Sequence, residues 1–218
     1  MSKAKIHTQY KNKAGERVPG VTTILGELAK PALIHWSWKL GIQGLDYKTF
    51  RDDLADIGTL AHRMIMCHIK GDTLAQEDYT PTQISKAENC FLKYLEWERQ
   101  HKVEGILVEE PMVSELYGYG GTPDFFGNID GQLVVMDFKT GKGIYDEYWY
   151  QVAAYGQLVE EVSGVSNIHG YRVLNIGRDE TENFIEEQRR GVAREFDIFL
   201  SALRIYQLKK EARRDTHA

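Results

Sequence analysis

Between Gln132 and Thr140 the chain reads QLVVMDFKT, apolar on both of its alternating faces until Asp137 and Lys139 interrupt it. A strand of that kind is covered on both sides, as at the centre of a sheet. Asp130-Gly131 stands between this run and the one before it, and an Asp-Gly pair in that position predicts a two-residue hairpin. If Ile129 pairs with Gln132, opposed residues have numbers that sum to 261. Val103 to Ser114 alternates as a further core strand, and Val165 to Ile176 supplies another. Elsewhere apolar residues recur at helical spacing. Leu54, Ile57, Ala61, Met64 and Ile65 make a stripe over 52–69, and Ile84, Ala87, Phe91, Tyr94 and Leu95 make one over 83–101, entered through Thr80-Pro-Thr-Gln. Tyr148, Val152, Tyr155 and Leu158 share a face over 147–161. A long helix is predicted over 185–208, with Val192, Phe196, Phe199, Leu200 and Leu203 inward. Residues 1–20 read as a polar arm bent at Ala14-Gly15, Thr22 or Thr23 as a cap for the helix that follows, and 72–82 as a polar loop. The pattern predicts an α/β chain in one domain. It has a mainly helical part over 1–102, a sheet core with its helix over 103–176, and a C-terminal helix with a basic tail over 177–218.

The hairpin register has a chemical consequence. It puts Asp124 opposite Asp137 and Thr122 opposite Lys139, and side chains repeat every two residues along a strand, so Asp124, Asp137 and Lys139 share one face. Counted from the turn, 124/137 is a non-hydrogen-bonded pair, the class with Cβ atoms roughly 4.5–5.5 Å apart. Carboxylates so close repel one another unless a proton or a cation lies between them, and a hard divalent ion with oxygen ligands meets that need. Pro123, opposite Phe138, has no N–H to give, which leaves the Phe138 carbonyl as a third oxygen. Lys139 is placed to hold a metal-bound water or to steady an anionic transition state. The plain alternative is a hairpin with a charged, wet face. Against it stands the apolar character of both faces of 132–140, where unpaired charge is expensive.

Further candidates lie along the chain. Gly58 and His62 form an i, i+4 column beside the 52–69 stripe, with space above the imidazole; such a histidine is either a satisfied core residue or a ligand. Glu109 and Glu110 point to opposite faces of the 103–114 strand, so only one can reach the carboxylates; Glu110 is chosen as the odd charge on an apolar face. Gln151 shares a helix face with two tyrosines, where apolar packing would not select it; it is either a group that orients a phosphate or a surface glutamine. Trp36 and Trp38 cannot both face one side of a helix, so one is core and one partly exposed, and Trp36 is the candidate platform for a base. Thr122 and Lys142 are candidate phosphate contacts.

Bulk properties narrow the picture. A chain of 218 residues, 42% hydrophobic, can bury a real core. It has no apolar run of membrane-spanning length and no signal-like start, so a cytoplasmic protein without a membrane partner is expected. Cys67 and Cys90 fall inside helical patterns as thiols, and two cysteines are too few for an iron–sulfur cluster. The net charge of -5 argues mildly against a nucleic-acid partner, but what decides is where the basic residues lie. The tail carries Arg204, Lys209, Lys210, Arg213 and Arg214 against Glu211 and Asp215, either a guide for a polyanion or an ordinary solvated end.

Thr122-Pro-Asp124, a short hairpin and Asp137-Phe-Lys139 together resemble the PD-(D/E)xK nuclease signature. Gln151-Val-Ala-Ala-Tyr155 resembles the QxxxY motif of the RecB-like, phage-type exonuclease branch, and Gly58-Thr-Leu-Ala-His62 resembles its histidine motif. Glu109/Glu110 sits where a further acidic residue is often found, so five pieces stand in the family's order between Gly58 and Tyr155. The resemblance implies a restriction-endonuclease-like central mixed sheet flanked by helices, with a helical N-terminal region as one wall of a channel. It also implies one or two Mg²⁺ or Mn²⁺ ions, anchored by Asp124 and Asp137 beside the Phe138 carbonyl, with His62 and Glu110 completing the shell. Lys139 would position the attacking water, and Gln151 and Tyr155 would fix the strand. The implied substrate is linear DNA with ends, cut by an exonuclease in phage recombination, replication or DNA processing, with a single-strand-binding or recombination protein as a candidate partner. The alternatives are a structure- or site-specific endonuclease, a nuclease-fold protein that binds without cutting, and a metal-carboxylate protein unrelated to nucleic acid.

Overall fold

The computed structural model describes residues 8–74 and 79–215; residues 1–7, 75–78 and 216–218, parts of the expected arm, loop and tail, lie outside the described residues. The chain opens with a small hairpin of β1 (Tyr10–Lys11) and β2 (Arg17–Val18), turned at Gly15, whose φ of 79° is left-handed. Four helices follow: α1 (Val21–Leu25), α2 (Pro31–Ile42), α3 (Tyr47–Lys70) and α4 (Pro81–Glu98). The N-cap of α1 is Gly20, without a side-chain bond, so Thr22 and Thr23 stand inside the helix and neither caps it as expected. Asp46 caps α3 by accepting from the Thr49 N–H at 2.7 Å, and Gly71 ends it in the left-handed conformation at φ 73°. The predicted entry to α4 is a capping box, in which Thr80 Oγ1 accepts from the Gln83 N–H and Gln83 Oε1 from the Thr80 N–H.

The remaining elements are β3 (Val103–Val108), β4 (Met112–Ser114), β5 (Tyr119–Gly121), β6 (Phe125–Ile129), β7 (Gln132–Thr140), α5 (Asp146–Ser163), β8 (Gly170–Ile176), β9 (Ile185–Arg189) and α6 (Ala193–Asp215). Five strands form a mixed sheet in the order β3-β6-β7-β8-β9, in which only β7 and β8 run parallel, with α5 as the crossover between them. β7 is the central strand, as its two apolar faces require. Val134, Met136 and Phe138 pack into a core with α3 and α4, while Val135 and Phe126 face a second core built with α1, α5 and α6. Each of these large side chains, once fully buried, contributes on the order of 2 kcal/mol. No helix among the described residues is long and apolar enough to cross a membrane.

Three predicted elements differ, the first being the strand expected over 165–176, which begins only at Gly170. The strand expected over 103–114 is two strands, β3 and β4, because the backbone breaks at Glu109, whose φ is 56°. Pro111, inside the run, is the sequence signal for that break. The helix expected over 185–208 begins only at Ala193, and Ile185–Arg189 is the edge strand β9, paired antiparallel with β8. Its Glu and Arg residues suit a helix by propensity. Pairing with β8 overrides that preference, and Arg172 donates to Glu186 across the two strands at 2.7 Å.

Candidate active site

The turn at Asp130 (φ 53°) and Gly131 (φ 82°) has the two left-handed residues that a two-residue hairpin uses. From Ile129↔Gln132 to Phe125↔Met136 the ladder runs in the expected register. Asp124 lies one residue beyond it. Its Oδ2 accepts the Phe138 N–H at 2.8 Å, so that a side chain takes the place of a strand partner where the hairpin opens. Asp137 falls on the same face, the one that carries Phe126 and Val135 toward α5. Its carboxylate is fully buried: Oδ1 has no partner among the described residues, and Lys139 Nζ lies against Oδ2 as an ion pair without hydrogen-bond alignment. The same ammonium sits 5.2 Å from the centre of the Tyr148 ring, a cation–π contact made from α5.

His62 approaches from α3, edge-on to Phe138, with Nε2 3.0 Å from Asp124 Oδ1 and Nδ1 3.9 Å from Glu109 Oε1. Glu109 in turn has Oε2 3.5 Å from Lys70 Nζ. On α5, Gln151 Nε2 donates to the hydroxyl of the buried Tyr155 at 2.7 Å. Tyr155 also abuts Gly121, where an added Cβ would stand 2.8 Å from its ring, so the backbone at Gly121 has to stay bare for the tyrosine to reach this depth. Tyr10 and Thr122 share a hydrogen bond of 2.9 Å between their hydroxyls, tying the N-terminal hairpin to the mouth of the site.

Charge and burial split the two carboxylates. Burial pushes Asp137 up to about 7, with Asp124 adding to the effect and Lys139 opposing it. Asp124 is buried too, but His62, Lys139 and the Phe138 N–H outweigh that and hold it below the usual carboxylate range. Burial alone would depress His62, yet Asp124, Glu109 and Asp137 raise it above its ordinary value. Tyr155 stays a phenol, raised well above normal by burial and by both aspartates. The site opens into a cleft of about 900 Å³, lined by His62, Glu109, Thr122 and Asp124 and walled by Tyr10, Arg17 and Lys210. A second cavity of about 200 Å³ brings Gly58, His62, Lys139 and Thr140 together.

The structure gathers Asp124, Asp137, Lys139 and His62, with Gln151 and Tyr155 behind them, and corrects other placements. Glu110 is exposed, and Glu109 is the acid at His62. The left-handed turn at Glu109, whose N–H donates to the Asp124 carbonyl at 3.1 Å, breaks the alternation on which Glu110 was chosen. Trp36 packs edge-on against Tyr47 and Phe50 and is half-buried, while Trp38 is 58% exposed, so neither of the two is the core residue expected. The space over Gly58 holds Thr140, whose Oγ1 would lie 2.7 Å from an added Cβ; the glycine lets α3 close onto β7. Thr122 bonds to Tyr10 across the mouth, and Lys142 is exposed on the loop after β7. Lys70, Tyr148 and Tyr10 were not foreseen, since contacts between distant elements leave no local pattern. Among the described residues no three His, Cys, Asp or Glu side chains form a ready metal cluster.

No family model and no curated protein matches the chain. Among solved structures, a candidate exonuclease from Eubacterium rectale is similar with a TM-score of 0.50 at 12% identity, over 70% of this chain and 65% of that one. An alkaline exonuclease from Laribacter hongkongensis gives a TM-score of 0.33 at 14% identity, over 74% and 91%, too slight a likeness to carry weight. The first likeness speaks for the fold alone, a mixed five-stranded sheet flanked by helices.

Proposed function

We propose that this chain is a divalent-metal-dependent nuclease of the PD-(D/E)xK type, and that it acts as an exonuclease on the ends of linear DNA in phage recombination, replication or DNA processing. The observation that carries the reading is the carboxylate of Asp137, fully buried with Oδ1 unpartnered among the described residues, on the same sheet face as Asp124 and next to the Lys139 ammonium. The Lys139 ammonium meets only Oδ2, and a buried carboxylate oxygen left without a partner is costly unless a further cation is drawn to it. The donor set suits Mg²⁺ or Mn²⁺: two carboxylates and the Phe138 carbonyl supply hard oxygens, and water and phosphate commonly complete the shell of such an ion. When bound, the ion supplies Lewis acidity and an acidified water for phosphodiester hydrolysis.

The chain's own residues do the rest. Asp124 and Asp137 hold the charge, and the Phe138 N–H keeps Asp124 aimed into the site. Lys139, between Asp137 and the Tyr148 ring, would orient the attacking water and meet negative charge as it develops. His62 and Glu109 close the cleft side, where a phosphate would enter. Gln151, held by the Tyr155 hydroxyl, orients the strand. The fold shared with the Eubacterium rectale protein is in keeping with this reading.

The test is incubation of the protein with end-labelled linear duplex and single strands, with and without Mg²⁺ or Mn²⁺, beside Lys139→Ala and a circular substrate. Metal-dependent release of label, lost by at least about 100-fold in the variant, is expected, and an intact circle marks exonuclease action. A second reading, a nuclease-fold protein that binds nucleic acid without cutting, draws on the pairing of His62 with Asp124 and of Lys139 with Asp137, which leaves no three-residue metal cluster among the described residues. Calorimetric titration with Mg²⁺ separates the two: heat that disappears in Asp137→Ala favours the enzyme.

A further inference from the structure

The cleft has an acidic floor and a basic rim, and the rim continues away from the site. Asp124 and Glu109 line the depth of the 900 Å³ cleft, while Arg17 and Lys210 line its walls. Lys210 and Tyr206 also line a neighbouring groove of about 510 Å³, together with Arg213 and Arg214. Tyr206, Lys210, Arg213 and Arg214 follow one another at spacings of four, three and one residues along α6, so they share one side of that helix. From Tyr206 to Arg213 the helix rises about 10 Å. Lys209 is neutralised by Glu27 and Arg204 by Glu211, but Lys210, Arg213 and Arg214 have no acidic partner among the described residues. On a chain of net charge -5, an attraction for polyanions has to be local, and this is where unpaired positive charge adjoins the cleft.

We infer that this side of α6 is the track along which one nucleic-acid strand is led to the carboxylates, with Lys210, Arg213 and Arg214 on its phosphates, Tyr206 available to stack on a base, and Arg17 at the cleft mouth. The inference rests on the nuclease reading for what happens at the end of the track, but not for the binding itself. Three phosphate contacts give a slope of log affinity against log salt of about -2 on a single strand. That slope means about a twentyfold loss between 50 and 200 mM salt.

The experiment is fluorescence anisotropy of labelled single-stranded and duplex oligonucleotides in EDTA across that range. It compares wild type, Lys210→Gln/Arg213→Gln/Arg214→Gln, and a control that removes the same charge at Arg99, Lys102 and Arg190, which are exposed and line neither cavity. The track variant is expected to lose more than tenfold in affinity at low salt and to flatten the slope by about 2. The control should bind as wild type and hydrolyse bis(p-nitrophenyl) phosphate as wild type does, since its three residues line neither the cleft nor the groove. An unchanged slope in the track variant, or an equal loss in the control, overturns the inference. So does a lowered melting temperature with affinity kept, which would mean that the basic residues serve only the end of the helix. Wild type that binds strands with this slope yet cuts none in Mg²⁺ would overturn the nuclease reading and leave the track standing; cutting without the slope would do the reverse.

Discussion

Replacing Asp137 by Asn should stabilise the metal-free protein at neutral and alkaline pH, and the structure sets the size of the gain. The folded chain holds this carboxyl at about 7 against a usual value of 3.8, chiefly by burial, so the folded state binds its proton more tightly than the unfolded state does. Between those two values folding takes up a proton, and stability therefore falls as pH rises from about 4 to about 7 and then levels at its lowest. At about 1.4 kcal/mol per unit the full penalty is roughly 4 kcal/mol at pH 8, of which about half is already present at pH 5.5. Asparagine has the shape of the protonated acid and no proton to exchange. Chemical denaturation in EDTA should thus show the variant about 4 kcal/mol more stable than wild type at pH 8 and about 2 kcal/mol more stable at pH 5.5. Mg²⁺ should raise the stability of wild type and leave the variant unmoved, because an ion that binds only the folded state stabilises it by mass action. A variant no more stable than wild type at pH 8, or a difference independent of pH, would refute the claim that Asp137 is buried without adequate compensation.

Other outcomes follow from contacts around the site. Glu109→Gln should raise the Mn²⁺ concentration needed for cutting by about 10- to 100-fold, whereas Glu110→Gln, on an exposed side chain, should leave it unchanged; titration of activity against Mn²⁺ compares them. Glu182 is buried, which alone would raise it, but Arg178 donates to it and lowers it below its ordinary value. Its contribution is present above about pH 4.5 and lost as pH falls through the lowered value, so Glu182→Gln should cost about 3 kcal/mol at pH 7 by stranding the buried Arg178, and should make the acid limb of the stability curve shallower. Gly120→Ala would put a Cβ 2.2 Å from Tyr10 Cγ and should cost about 1–3 kcal/mol in thermal melts as the N-terminal hairpin is displaced.

The hairpin was legible because its information is local. Asp130-Gly131 sets the turn, the turn sets the register, and the register puts Asp124 and Asp137 on one face, all within a stretch of chain that can be read by counting. The stripes of α3 and α5, with His62 beside the first and Gln151 on the face of the second, were legible for the same reason. Glu109 was missed because a single left-handed residue reverses the alternation beyond it, and only Pro111 hinted at the break. Ile185–Arg189 was missed because charged residues with helical propensity make an edge strand once β8 offers a partner.

Periodicity and turn chemistry alone therefore determined that this is an α/β chain with two aspartates and a lysine on the central hairpin, since backbone geometry converts spacing directly into facing. Only the tertiary structure decided that His62 answers Asp124, that Thr140 occupies the space above Gly58, and that the N-terminal hairpin and the far end of α6 form the walls of one cleft. Those arrangements join elements separated by up to some two hundred residues. Burial energy and close packing bring them together, and neither leaves a periodic trace in the sequence.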